Sequence, residues 1–190
     1  MNNRVSENIT FEKMNYKEKA LIKGEYENCS FRSCEFPETD LSGSRFIDCD
    51  FENCNLSLVK MNTTSLRNVK FSGCKMLGIN FSYCDPFLFS VGFDNCILNI
   101  ASFNSIKLKN TVFRNCSLQE ADFAGTDLTN VVFDDCDLGH AVFRAANLEK
   151  ADLRTAYNFS IDPEENKIRK AKFSNHGLRG LLDKYDIEIE

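Results

Sequence analysis

Ala121-Asp122-Phe123-Ala124-Gly125 is followed at once by Thr126-Asp127-Leu128-Thr129-Asn130, and the two pentads have one pattern: small, acidic, large apolar, then two small or polar residues. Stepping by five from Phe123 keeps meeting a large apolar residue. Backwards the series passes Phe113, Phe103 and Phe93 to Leu88, and forwards it passes Phe143 and Leu148 to Leu153. A second series at the same interval runs from Phe11 to Phe81, offset by two residues from the first. The two series hold 29 positions, all large and apolar, in a chain that is 43% hydrophobic. Chance would give this with odds of roughly 10⁻¹¹, so the period governs the fold.

Let i denote the large residue. Position i−2 is small almost throughout, as in Ala101, Thr126, Ala141 and Ala151, while i−1, i+1 and i+2 are mostly polar. A helix repeats every 3.6 residues and a strand every two, so neither puts a five-residue repeat on one face. A chain that turns a corner every five residues does, with two side chains inward and three outward. All nine cysteines sit at i−2, among them Cys34, Cys54 and Cys74, and Cys96, Cys116 and Cys136, twenty residues apart. From Phe93 to Leu148, Phe and Leu alternate. The simplest account is a coil of four five-residue sides, all β, with like residues stacked and Phe facing Phe across the axis. A metal site needs ligands converging from several directions. One inward slot that also accepts Ala, Thr and Val instead reads the thiols as small buried hydrophobes.

Segments such as ADFAG-TDLTN and Ala146-Asn147-Leu148-Glu149-Lys150-Ala151-Asp152-Leu153 resemble the A(D/N)LXX pattern of the pentapeptide-repeat family over roughly residues 9–157. The resemblance implies a right-handed quadrilateral β-helix, here of about seven coils, preceded by a tail over 1–8. The match departs from the pattern at Met14 and Lys19, which fill i−2 in the first coil. In layout the chain is similar to the gyrase-protecting, Qnr-type quinolone-resistance branch: similar coil number, one register break and a short helix after the last repeat. That branch implies a homodimer joined through C-terminal ends, DNA gyrase or topoisomerase IV as partner, and DNA mimicry. The alternative is a generic interaction scaffold for another partner.

Three non-repeat features are candidate sites. The register break lies at 82–88. With Leu88 read as the inward residue, Asp85, Pro86, Phe87 and Phe89 project as partner anchors, since exposed aromatics anchor interfaces; the other reading is a tolerated insertion packed on the local surface. Residues 115–143 hold Glu120, Asp122, Asp127, Asp134, Asp135 and Asp137 and no Lys or Arg, whereas 56–84 hold Lys60, Arg67, Lys70 and Lys75 and no acid. Seven coils at ~4.8 Å make a rod of roughly 35 Å, and B-DNA of that length carries about 20 charges. A net charge of −5 makes a poor uniform mimic, leaving local acidic patches to meet a basic partner. Over 158–190, Leu178, Leu181, Leu182 and Tyr185 fall on one face of a helix. Ile187 and Ile189 alternate with acids as a short strand. The segment covers the open solenoid end and, by the resemblance, makes the dimer interface.

The sequence supports no enzyme, cofactor or metal. His140 and His176 are the two histidines, and no Gly-rich phosphate loop, GxSxG or HExxH occurs. The N-terminus lacks the apolar core of a signal peptide and no run reaches the ~18 apolar residues of a membrane span, so the expected address is cytoplasmic. The acidic balance argues against nucleic acid as a direct ligand.

Overall fold

The five-residue period closes into a four-sided coil because almost every corner is turned by a residue in the left-handed region at i+2, as at Asn28, Asn53, Asn68, Asn95, Asn115 and Asn130. An L-residue there interrupts the extended backbone, so each strand stops after two to four residues. The computed structural model describes residues 4–188. One face carries β1 (Arg4–Glu7), β3 (Gly24–Glu27), β5 (Arg45–Ile47) and β7 (Ser65–Arg67). Another carries β2 (Thr10–Glu12), β4 (Ser30–Arg32), β6 (Asp50–Glu52), β8 (Val69–Ser72) and β9 (Val91–Asp94). It continues through β10 (Val112–Arg114), β11 (Val132–Asp134), β12 (Asp152–Leu153) and β13 (Lys172–Phe173). All pairings are parallel, and the nine-stranded sheet runs β13-β12-β11-β10-β9-β8-β6-β4-β2. The other two faces are ladders of single bridges, such as Asn15↔Glu35↔Asn55↔Lys75 and Asn80↔Ser102↔Asp122↔Val142. Parallel strands joined by crossovers wind right-handed, giving a right-handed quadrilateral β-helix.

Nine stacked strands mark eight coil steps, against about seven expected. The difference lies at both ends. Arg4–Glu7 pairs with Gly24–Glu27 in the span expected to be a tail. The coil also continues past 157, where Asn147 bridges Lys167 and Asp152 pairs with Lys172. These ends lack the A(D/N)LXX pattern but keep the backbone ladder, which needs no particular side chain.

We number the faces in chain order within a coil, the first being the nine-stranded sheet. Inside, Phe11, Phe31, Phe51, Phe71, Phe93, Phe113 and Phe133 stack along it with centroids 4.8, 4.6, 5.1, 5.4, 5.0 and 5.1 Å apart. Phe81, Phe103, Phe123 and Phe143 stack at 5.0, 5.0 and 5.1 Å on the opposite, third face. The two columns meet edge to face, as in Phe123–Phe133 at 5.7 Å and 77°, an arrangement the ring quadrupole favours. The i−2 slot is lined as expected: all nine cysteines are buried and free. The slot has a chemistry of its own. Cys34, Cys54 and Cys74 donate to the carbonyls of Phe11, Phe31 and Phe51 one coil below, at 3.4, 3.2 and 3.3 Å. Thr64 and Thr126 do the same to Leu41 and Phe103, at 3.0 and 2.6 Å. Burial pushes the Cys49 and Cys84 thiols up to about 12.

Candidate partner-binding surface

The regular ladder breaks on the fourth face. A one-turn 3-10 helix, Phe81–Tyr83, ends the third side of the coil, with the Asn80 side chain accepting from Ser82 N–H. The five-residue count then continues to the end of the Pro86 side, and two extra residues follow it, so that Val69 pairs with Val91, 22 residues on. Asp85 Oδ1 accepts the Phe87 N–H at 3.0 Å, and Leu88 turns the corner at φ 56°. Leu88 therefore holds the i+2 corner of the Pro86 side.

This corrects the sequence reading at two residues. Leu88 is not inward but at the exposed tip, 63% accessible. Phe89 is not a projecting anchor: it packs partly buried against the core, edge-on to Phe81 at 6.3 Å and 74°. A left-handed corner turns its side chain outward, and the space left behind Pro86 takes the Phe89 ring. Pro86 and Phe87 are exposed as expected, Phe87 at 61%, with the Arg67 guanidinium 4.9 Å over its ring. Asp85 is half-buried and occupied in its turn. The site also includes residues the sequence did not point to. Tyr83 is 62% exposed beside the loop. Between the loop and the next coil lies a groove of about 650 Å³ lined by Phe81, Cys84, Leu88, Phe89, Ile106 and Lys107, among others. No bridge joins β7 to Lys107 across this break among the described residues; the ladder resumes at Lys107↔Asp127.

The acidic run does not form one surface. Asp134 and Asp135 lie on the first face, Glu120 and Asp137 on the second, Asp122 on the third and Asp127 on the fourth. Five-residue sides spread residues close in sequence around the coil. Most are occupied: Asp134 by Arg114 at 3.3 Å, Asp127 by Lys109 at 3.2 Å, Asp137 by Gln119 at 2.6 Å. Asp122 Oδ1 accepts the Ala124 N–H at 2.9 Å.

At the C-terminus the expected helix is two 3-10 turns, Gly177–Leu181 and Asp183–Tyr185. Leu181 packs partly buried against the core and Leu182 is half-buried, while Leu178, Tyr185 and Ile187 are exposed, so the four expected face residues do not share a face. Gly177 and Gly180 lie on the Phe159 ring; a Cβ on Gly180 would come 2.1 Å from the Phe159 carbonyl oxygen. Lys184 Nζ ties this cover to Asp162 and Glu164 at 2.8 and 2.7 Å, holding both carboxyls below their ordinary range. Asp186–Glu188 is not strand, and Ile189 lies outside the described residues. Among the described residues no helix is long and apolar enough to cross a membrane, and no cluster of side chains is arranged to hold a metal ion.

A family model described as a pentapeptide repeat region matches residues 25–86 and 87–181, most of the chain. Its two matches abut between Pro86 and Phe87, inside the loop. Among solved structures, QnrB1, a plasmid-mediated fluoroquinolone resistance protein, is similar end to end. Two trypsin-treated variants give TM-scores of 0.64 and 0.65 at 19% identity, covering 99% of this chain and 98% of theirs. Full-length QnrB1 gives 0.59 at 19% identity, covering 97% and 100%. No curated protein gives a significant match to the sequence.

Proposed function

Because the chain belongs to the pentapeptide-repeat family, we propose that it is a non-catalytic protein-binding solenoid whose partner is a type II topoisomerase, DNA gyrase or topoisomerase IV, and that it protects this enzyme from quinolones or a toxin. The observation that carries the reading is the end-to-end likeness to QnrB1, named for resistance to drugs of that class. Pro86, Phe87 and Leu88, with Tyr83 beside them, are the anchors, set by Asp85 and backed by Phe89. Of the acids, Glu120 and Asp135 have side chains with neither a hydrogen bond nor a salt bridge among the described residues and are the ones available to a basic partner. The dimer joins through the C-terminal cover, with Leu178, Tyr185 and Ile187 as the exposed apolar contribution, and matches a two-fold partner. The working compartment is the cytoplasm, whose reducing conditions suit nine free thiols.

A second reading, a scaffold for some other protein, is favoured by the acidic run itself. Its spread over four faces offers no single acidic surface in the manner of a DNA mimic. Binding decides between them. Purified gyrase and topoisomerase IV, each immobilised and titrated with this protein, are expected to bind at micromolar concentration. Binding to neither removes the topoisomerase reading and leaves the scaffold.

A further inference from the structure

The charge of the fourth face changes along the rod. Before the loop its strands and corners carry Glu7, Glu25, Glu27 and Asp48 against Arg4, Arg45 and Arg67, close to balance. Beyond it, Lys107, Lys109, Lys150, Lys167, Arg169 and Lys170 face only Asp127 and Glu149. Six cations against two acids leave a surplus of four on one face of a chain whose net charge is −5. On the first face such charges are neutralised locally: Arg32 pairs with Glu52 at 3.1 Å, Arg114 with Asp134 at 3.3 Å and Arg154 with Asp152 at 2.7 Å. On the basic strip Lys109 alone has a salt bridge among the described residues, to Asp127 at 3.2 Å.

Lys150 and Lys170 sharpen the contrast. They occupy successive corners of one column, at φ 59° and 60°. Like charges on neighbouring layers repel, and the left-handed corner disfavours an L-residue other than Asn or Asp. Each lysine therefore costs stability twice and gains no salt-bridge partner among the described residues. At the loop end of the strip, the apolar groove of about 650 Å³ opens against Lys107.

We propose that the strip and the groove together bind an extended acidic segment of a partner protein, with one apolar side chain in the groove and carboxylates along the lysines. The argument is charge complementarity, and it rests on the reading of the loop as the docking surface, whichever protein supplies the segment. From Lys107 to Lys167 is three coil steps, ~14 Å, the reach of about four extended residues. Nucleic acid fits less well. A duplex longer than the strip would run onto a part of the same face that has no surplus of cations, and the groove admits a side chain rather than a backbone.

The test uses the whole protein and fluorescence anisotropy with a labelled peptide of one leucine followed by five glutamates, against the same peptide with glutamines and against a short DNA duplex. The glutamate peptide is expected to bind, and more weakly as salt rises. Lys150→Asn with Lys170→Asn is expected to weaken it about tenfold, and Leu88→Asn several-fold. Asn accepts the left-handed corner, so these variants keep or raise the melting temperature and a folding defect does not imitate the result. Equal binding of glutamate and glutamine peptides, an unaffected double variant, or tighter binding of the duplex overturns the proposal. Peptide binding without topoisomerase binding removes the topoisomerase reading and leaves this one; topoisomerase binding untouched by the double variant does the reverse.

Discussion

At the scale of the residue, the fold is a decision repeated every five positions: what points in, and what turns the corner. Phe123 is fully buried between Phe103 and Phe143, whereas Asp134 faces out towards Arg114. Phe123→Ala is expected to cost ~3–5 kcal/mol through the lost ring and the cavity left behind. Asp134→Ala removes a surface ion pair and is expected to cost about 1 kcal/mol or less. Chemical denaturation separates the two, and equal midpoints would contradict the in/out assignment. The thiols make a second test. With burial holding Cys49 and Cys84 near 12, the thiolate forms of these two stay scarce at pH 9, where an unfolded cysteine is mostly ionised. Native protein is expected to label slowly at that pH and completely in denaturant; fast labelling of several sites under native conditions would refute the buried slot. The corners are legible too, since Asn recurs at i+2. Ile100 breaks that rule, a β-branched residue at φ 60° and 62% exposed. Ile100→Asn is expected to raise stability by ~1 kcal/mol, read as a higher melting temperature.

At the scale of the element, the period itself was plain in the sequence, and its interruptions were not. Two extra residues between Phe81 and Phe93 can be inserted at several points without changing either run. Placing them before Leu88 gives an inward Leu88; the chain places them after Leu88, where the Asp85 turn and the left-handed Leu88 have already closed the Pro86 side. The C-terminal cover misled for a related reason. Leu178, Leu181, Leu182 and Tyr185 have α-helical spacing, but Gly177 and Gly180 each weaken an α-helix by ~1 kcal/mol. What holds the segment is contact with Phe159, a neighbour that sequence spacing does not reveal. Gly180→Ala is expected to destabilise this cover by about 1–3 kcal/mol through overpacking, since its new Cβ meets backbone. Hydrogen exchange would register this as lost protection at Ile161 N–H, which donates to the Gly180 carbonyl at 2.8 Å. Unchanged protection would mean that the contact is not what seats the cover.

At the scale of the whole molecule, eight coil steps at ~4.8 Å make a rod of roughly 38 Å, with a surface divided by face rather than by position in the sequence. That division explains why the architecture was readable and the site only in part. A run such as 115–143 looks acidic along the chain yet is dealt out to four faces. The basic strip of the fourth face comes from three separate stretches and has no signature in any one of them. If the rod is doubled through its C-terminal end, Leu178→Glu with Tyr185→Glu, both at exposed positions, is expected to give a folded monomer in analytical ultracentrifugation. A dimer that survives both changes would place the interface elsewhere. The central claim is that a loop on a rigid solenoid protects a type II topoisomerase. Its most direct measurement is gyrase supercoiling under ciprofloxacin, with the native protein and with a folded Phe87→Ser, Leu88→Asn variant. The account predicts that the native protein restores supercoiling and the variant does not; no restoration by the native protein, for gyrase or for topoisomerase IV, would contradict it.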